Sequence, residues 1–177
     1  MDIFCNFKSE FPDQIIHETK HFYLIHDGFP LAEGHLMIIP IKHESCFLDI
    51  KGQARNEFLS LKERVIEFLT RFYHKPKLFE HGGIIQTVPH AHLHFLPTEK
   101  SMLHEILPIA NIMKSPKVPY LYYQEDDKEY YFLPKITLAP GFFHQSFAKL
   151  LNRPTMAERQ KDGKNWILKI KTKWQHG

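Results

Sequence analysis

Apolar and polar residues alternate most sharply between Gln86 and Leu96, where His90, His92 and His94 take every second position and Ala91, Leu93 and Phe95 fill the gaps. A strand turns successive side chains to opposite faces, so the spacing predicts three imidazoles in one row with an apolar reverse side. On a helix the same residues would stand about 200° apart and share no face. Pro89 and Pro97 bracket the stretch, as strand ends tolerate. Upstream, 14–18 and 21–27 read as short strands, the second alternating Phe22, Leu24 and His26 against Tyr23, Ile25 and Asp27. Gly28-Phe29-Pro30 signals a turn, and His35 to Pro40 a third, largely buried strand. Ala54, Phe58, Leu61, Val65, Phe68, Leu69 and Phe72, spaced by threes and fours, predict a long helix over 51–74 that Lys75-Pro76 stops. Leu78 to Glu80 begins a strand, and Gly82-Gly83 breaks it before the histidine row.

Beyond Pro97 the pattern changes. A short helix is expected from a Ser101 cap to about Ala110, then loop over 111–119. Tyr120 to Gln124 and Tyr130 to Leu133 predict a hairpin with a longer loop through Glu125 to Glu129, and Phe143 to Leu151 a helix. In the basic tail Trp166, Leu168 and Ile170 alternate as a strand would. The expected class is α+β: an antiparallel meander with the long helix packed on it. Residues 1–100 would form the catalytic domain, and 101–177 an α/β extension packed against it.

A chain of 177 residues can bury a sizeable core. Its net charge of +3 suits an anionic ligand but is too small to argue for nucleic acid as partner. Cys5 and Cys46 make no disulfide framework. The charged start, with Asp2, Lys8 and Glu10, does not read as a signal peptide, and the aliphatic run from Leu36 to Ile41 is too short to span a bilayer. The expectation is a soluble cytoplasmic protein with no membrane contact.

Three imidazoles on one face allow two chemistries. A neutral ring can attack an activated phosphate, form a covalent histidine–nucleotide and release it to water, provided its second nitrogen donates to a fixed acceptor. Alternatively the rings ligate a metal. His92-Leu93-His94 followed by Glu99 has the HxH-x4-E spacing of metal-binding cupins, although Pro97 interrupts it and no later Gly-rich segment supplies a further histidine.

His90-Ala91-His92-Leu93-His94-Phe95-Leu96 resembles the His-φ-His-φ-His-φ-φ signature of the histidine triad superfamily of nucleotide hydrolases and transferases, and Gln86-Thr87-Val88 resembles its Gln-Ser/Thr-Val. The likeness continues upstream in His26-Asp27-Gly28-Phe29-Pro30-Leu31-Ala32-Glu33-Gly34-His35 and in Gly34 to Pro40 with His43, so it covers about residues 13–98. It implies His92 as nucleophile, with His90 and His94 orienting it and contacting phosphate or leaving group. His35 would complete the cluster. Asp27 would accept from ribose hydroxyls, Thr87 and the backbone amides near it would hold phosphate oxygens, and Gln86 would belong to the nucleotide-binding set. The implied substrates are dinucleoside polyphosphates, nucleoside phosphoramidates or nucleotidyl conjugates, and the implied assembly is a homodimer. A nucleotidyltransferase with the same intermediate, a nucleotide-binding module without turnover, and a metal-binding protein remain alternatives.

The chain also departs from the family's pattern. Phe79 to Ile85 reads one residue shorter than the usual phosphate loop and carries Glu80, which would repel a phosphate unless neutralised, and His81, which could compensate. Some relatives begin with a zinc-binding Cys-x-x-Cys; Asp2-Ile3-Phe4-Cys5 keeps only the second cysteine, so no structural zinc is expected. The chemistry needs no metal at the nucleophile, with magnesium (Mg2+) accompanying a polyphosphate substrate only.

Overall fold

The computed structural model describes residues 2–153 and 155–177. Eight strands form one antiparallel sheet: β1 (Ile15–Glu18), β2 (Phe22–His26), β3 (Leu36–Pro40), β4 (Pro76–Gly82), β5 (Leu93–Pro97), β6 (Ala110–Ile112), β7 (Tyr120–Glu125) and β8 (Lys128–Pro134), in the order β1-β2-β3-β5-β4-β7-β8-β6. Residues beyond 100 thus add three strands, β6, β7 and β8, to the same sheet. The helices are α1 (Phe7–Glu10), α2 (Gly52–Phe72), α3 (Leu103–Ile106), α4 (Phe142–Leu150) and α5 (Met156–His176). Among the described residues, no helix is long and apolar enough to cross a membrane.

Register decides what each face carries. Leu24 pairs with Ile38, Ile38 with Leu93, and Leu78 with Phe95. Directly paired residues share a face, and this one is covered by Phe58, Leu61, Val65, Phe68 and Leu69 of α2. On the other face Ile25 pairs with Met37, Met37 with His94, His94 with Phe79, and Phe79 with Tyr123. Phe4 and Phe7 cover one end of it, and Phe143 and Phe147 of α4 the other. The histidines lie between these two aromatic covers.

Several sequence expectations are corrected. The tail is helical, not extended: Trp166, Ile170 and Trp174 recur every fourth residue and pack inward with Gly163, while Leu168 is 72% exposed. Trp174 meets Phe68 of α2 edge-on, centroids 5.0 Å apart. The hairpin between β7 and β8 turns on Asp126-Asp127 alone, with Asp126 at a positive φ, so the acidic run is mostly strand. The expected loop over 111–119 begins inside β6, which Phe132 and Leu133 of β8 pair. The ladder takes only the end of the histidine row. Ala91 donates its N–H to the Glu44 carbonyl and His90 its own to that of Val88, which holds 90–92 outside β5.

Candidate active site

His92 is 4% exposed, and its Nδ1 stands 2.7 Å from the His90 carbonyl oxygen. A carbonyl only accepts, so Nδ1 carries the proton and Nε2 is left with its lone pair. Gln86 braces the same carbonyl, donating from Nε2 to the oxygens of His90 (3.2 Å) and Ser45 (3.0 Å). Burial pushes the His92 pKa down, which keeps the ring neutral and nucleophilic.

His94 lies beside it, ring centroids 5.2 Å apart, and stacks on Phe79 at 4.4 Å. Its Nδ1 is 3.1 Å from His35 Nε2 and 3.4 Å from Asp27 Oδ2. The Leu31 backbone N–H donates to His35 Nδ1 (3.2 Å), so the His35 proton sits on Nε2, 3.6 Å from the same carboxylate oxygen. Asp27 Oδ1 accepts the Phe29 N–H at 2.7 Å. Burial pushes the Asp27 carboxyl up, but the surrounding imidazoles, His35 foremost, outweigh it and leave the group well below the usual carboxylate range. Burial also takes His35 down to about 3, and His94 well below its usual value.

Two further histidines join: His144, which sequence reasoning did not place here, and His81, which it set in the phosphate loop. His144 of α4 brings Nε2 to 3.2 Å from the Phe29 carbonyl and 3.8 Å from Asp27 Oδ2, its ring lying 5.7 Å from that of His35. His81 points to the same side and accepts the Phe143 N–H. Glu80, its neighbour on β4, points through the sheet to the α2 side, where it accepts from Phe47 N–H and Tyr120 Oη. Strand alternation thus removes the expected repulsion of a phosphate. Glu99 is exposed and lies near His74, so the cupin-like ligand set does not assemble. Thr87 is exposed, beside Gly141, whose N–H donates to the Ile85 carbonyl.

His90 turns away from the other two. Its Nε2 faces the Pro40 carbonyl at 2.9 Å, and its Nδ1 faces Asp2 Oδ1 at 3.1 Å. Pro40 accepts from Nε2, and a positive charge, on the ring itself or on an ion, closes the contact between Nδ1 and Asp2. Cys5 Sγ lies 3.7 Å from His43 Nδ1 and 3.8 Å from His90 Nδ1, and His43 Nδ1 is 2.9 Å from Asp2 Oδ2. One donor atom from each of the four residues falls within 4.8 Å of the others. Two imidazoles, a thiol and a carboxylate suit a zinc-type ion.

The family model described as HIT domain matches residues 8–101. Adenosine 5'-monophosphoramidase HNT1 of Saccharomyces cerevisiae is 34% identical over 106 residues, 57% of this chain and 66% of that protein, so the chain spans just under two thirds of that relative's length. An uncharacterized HIT-like protein of Chlamydia trachomatis is 34% identical over 88 residues, 46% of this chain and 77% of the relative. Among solved structures, a hypothetical protein from Leishmania major aligns with a TM-score of 0.51 at 18% identity, covering 85% of this chain and 94% of the other. That last likeness bears on the fold alone, and it extends well past the matched domain.

Proposed function

The chain belongs to the HIT domain family, and from that membership we propose that it is a nucleotide hydrolase acting at an α-phosphorus through a nucleotidyl intermediate on His92. Nucleoside 5'-phosphoramidates are the first candidate substrates, because the yeast relative is named for that activity. Dinucleoside polyphosphates and nucleotidyl conjugates offer the same phosphorus. The observation that carries the reading is the bond from His92 Nδ1 to the His90 carbonyl, which leaves Nε2 unprotonated among buried imidazoles.

The steps balance as follows. The His92 Nε2 lone pair bonds to phosphorus and the P–N bond of the substrate breaks. The departing nitrogen takes a proton from His94 Nε2, a ring that burial keeps neutral in the free protein and that gains its second proton from solvent as the phosphoryl anion binds beside it. The His92 ring becomes a phosphorylated imidazolium whose Nδ1–H still donates to the His90 carbonyl. Water then gives hydroxide to phosphorus and its proton to His94, His92 leaves as neutral imidazole, and the products are the nucleoside monophosphate and ammonia. Thr87 and Gln86 border the approach to the phosphate. Asp2, Cys5, His43 and His90 would hold a zinc-type ion, whose service there is to tie the N-terminal segment to the sheet.

The test is mass spectrometry of protein quenched during turnover of adenosine 5'-phosphoramidate. An adenylate mass on the peptide containing His92 is expected, with AMP and ammonia as products. Turnover without such an adduct refutes the mechanism. A nucleoside product carrying an added acceptor would show transfer in place of hydrolysis.

A further inference from the structure

Among the described residues, five buried side-chain nitrogens find no hydrogen-bond partner, and four of them border one seam, between the start of α5 and the end of β2: His26 Nε2, Arg153 Nε, and Arg159 Nε and Nη1. Buried polar groups are nearly always paired, so their concentration here points to an occupant. Arg159 heads the inward stripe of α5 that Gly163, Ile170 and Trp174 continue, and it is 7% exposed. One turn further on, a Cβ on Gly163 would stand 3.1 Å from Pro30 and 3.2 Å from His26 Cε1, the ring atom next to the unpartnered Nε2. His26 is buried, and burial holds its ring neutral, taking the pKa down to about 4. Arg153 reaches the same turns of α5: its Nη2 pairs with Asp162 Oδ2 at 2.6 Å, and its guanidinium lies 5.6 Å from the Trp166 ring centroid. Asp162 thus serves Arg153, and Arg159 forms no ion pair among the described residues. Asp27 acts on it through space only.

We propose that this seam binds a phosphate-type oxyanion, free or carried on a nucleotide, with Arg159 as its central cation and Arg153 and His26 beside it. The proposal goes beyond the hydrolase reading and stands without it. A guanidinium taken out of water destabilises the fold unless both its N–H groups and its charge are met. Water meets the N–H groups and leaves the charge. A carboxylate offers two oxygens in one plane. A phosphate group offers three or four in a tetrahedral array, which suits donors arriving from β2, from α5 and from the segment between α4 and α5. With Arg153 neutralised by Asp162, Arg159 leaves the seam one positive charge in excess, which rules out a cation as the occupant. The seam also adjoins the histidine site. Asp27 follows His26 in the chain, and the Arg159 charge contributes to holding the His35 pKa down. An anion in the seam therefore stands on the Asp27 side of that site. Carried on a nucleotide whose α-phosphorus meets His92, it would be a phosphate on the ribose.

The experiment is isothermal titration, with thermal melts beside it, of wild type and Arg159→Met in buffer free of phosphate and sulfate. The probes are inorganic phosphate, AMP and adenosine 3',5'-bisphosphate. Two results support the site and tell its sources apart. Inorganic phosphate that binds wild type saturably, raises its midpoint and does neither in Arg159→Met marks a free anion. A bisphosphate that binds wild type about tenfold or more tightly than AMP, a preference lost in Arg159→Met, marks a phosphate carried on the nucleotide. Equal responses of the two proteins would place the anion elsewhere, and a wild type with neither response would make Arg159 structural. Either result overturns the proposal. Should Arg159→Met fail to fold, Arg159→Lys is read in its place: it keeps the charge and loses the planar set of donors, so the response should weaken, and an undiminished response overturns the proposal. All readouts are of binding, so an absence of turnover sinks the hydrolase reading and leaves this one to its own result.

Discussion

His92 gives its Nδ1 proton to the carbonyl of His90, two residues upstream and 2.7 Å away. The backbone of the row thus selects the tautomer of its central ring. His92→Ala should abolish turnover by several orders of magnitude while AMP binding and the thermal midpoint stay near wild type. Single-turnover kinetics beside isothermal titration checks this, and retained turnover would exclude the nucleophile.

Glu80 gives the fold a pH dependence separate from the chemistry. It is buried against Tyr120 and Phe47, and burial raises its pKa to about 7 from 4.5. The folded state therefore holds this proton more tightly than the unfolded chain. The contribution is complete below pH 4.5 and is lost as pH rises through 7. Relative to wild type, Glu80→Gln should gain on the order of 3 kcal/mol between pH 5 and pH 8, each pKa unit being worth about 1.4. Urea denaturation of both proteins at the two pH values measures the difference.

Trp174 anchors α5 on α2. It packs on Phe68, lies under the Arg64 guanidinium at 4.5 Å, and is 6% exposed. Trp174→Ala should cost about 3–5 kcal/mol. Its indole Nε1 has no hydrogen-bond partner among the described residues, so Trp174→Phe should cost much less. Thermal melts of both variants separate lost packing from a lost polar contact.

The donor group at the N-terminus predicts a response to metal. Zinc added to chelator-treated protein should raise the thermal midpoint, because an ion bound only by the folded state stabilises it by mass action. His43→Ala removes one donor and leaves the row intact, so the zinc-dependent shift should vanish in that variant. An identical shift in both proteins would place the ion elsewhere.

The first five strands and α2 were legible because each repeats a period. Apolar residues recur by threes and fours from Ala54 to Phe72, and pairs alternate from Phe22 to Asp27. The tail reads as a strand at 166, 168 and 170, whereas what decides it is tertiary: Trp174 on Phe68, with Ile170 in the same apolar cluster. In the site, His92, His94, His35 and Asp27 do meet. Proximity along the chain could not tell that His90 turns to Asp2; that Glu80 and His81 face opposite sides follows from strand alternation once β4 runs through Gly82, where the glycine pair had suggested an earlier break. The arrival of His144 at Asp27 spans more than a hundred residues, and no local pattern encodes it.

The sheet order carries one more consequence. Residues 8–101 alone would leave β4 as the last strand on its flank, but Leu78 to Gly82 are already hydrogen-bonded to β7 of the same chain. The molecule thus supplies its own neighbour there, and a second copy cannot extend the ladder across that margin. Among the described residues the open edges of the sheet are β1 and the three-residue β6, so a copy that adds strands to this sheet does so there and not at β4.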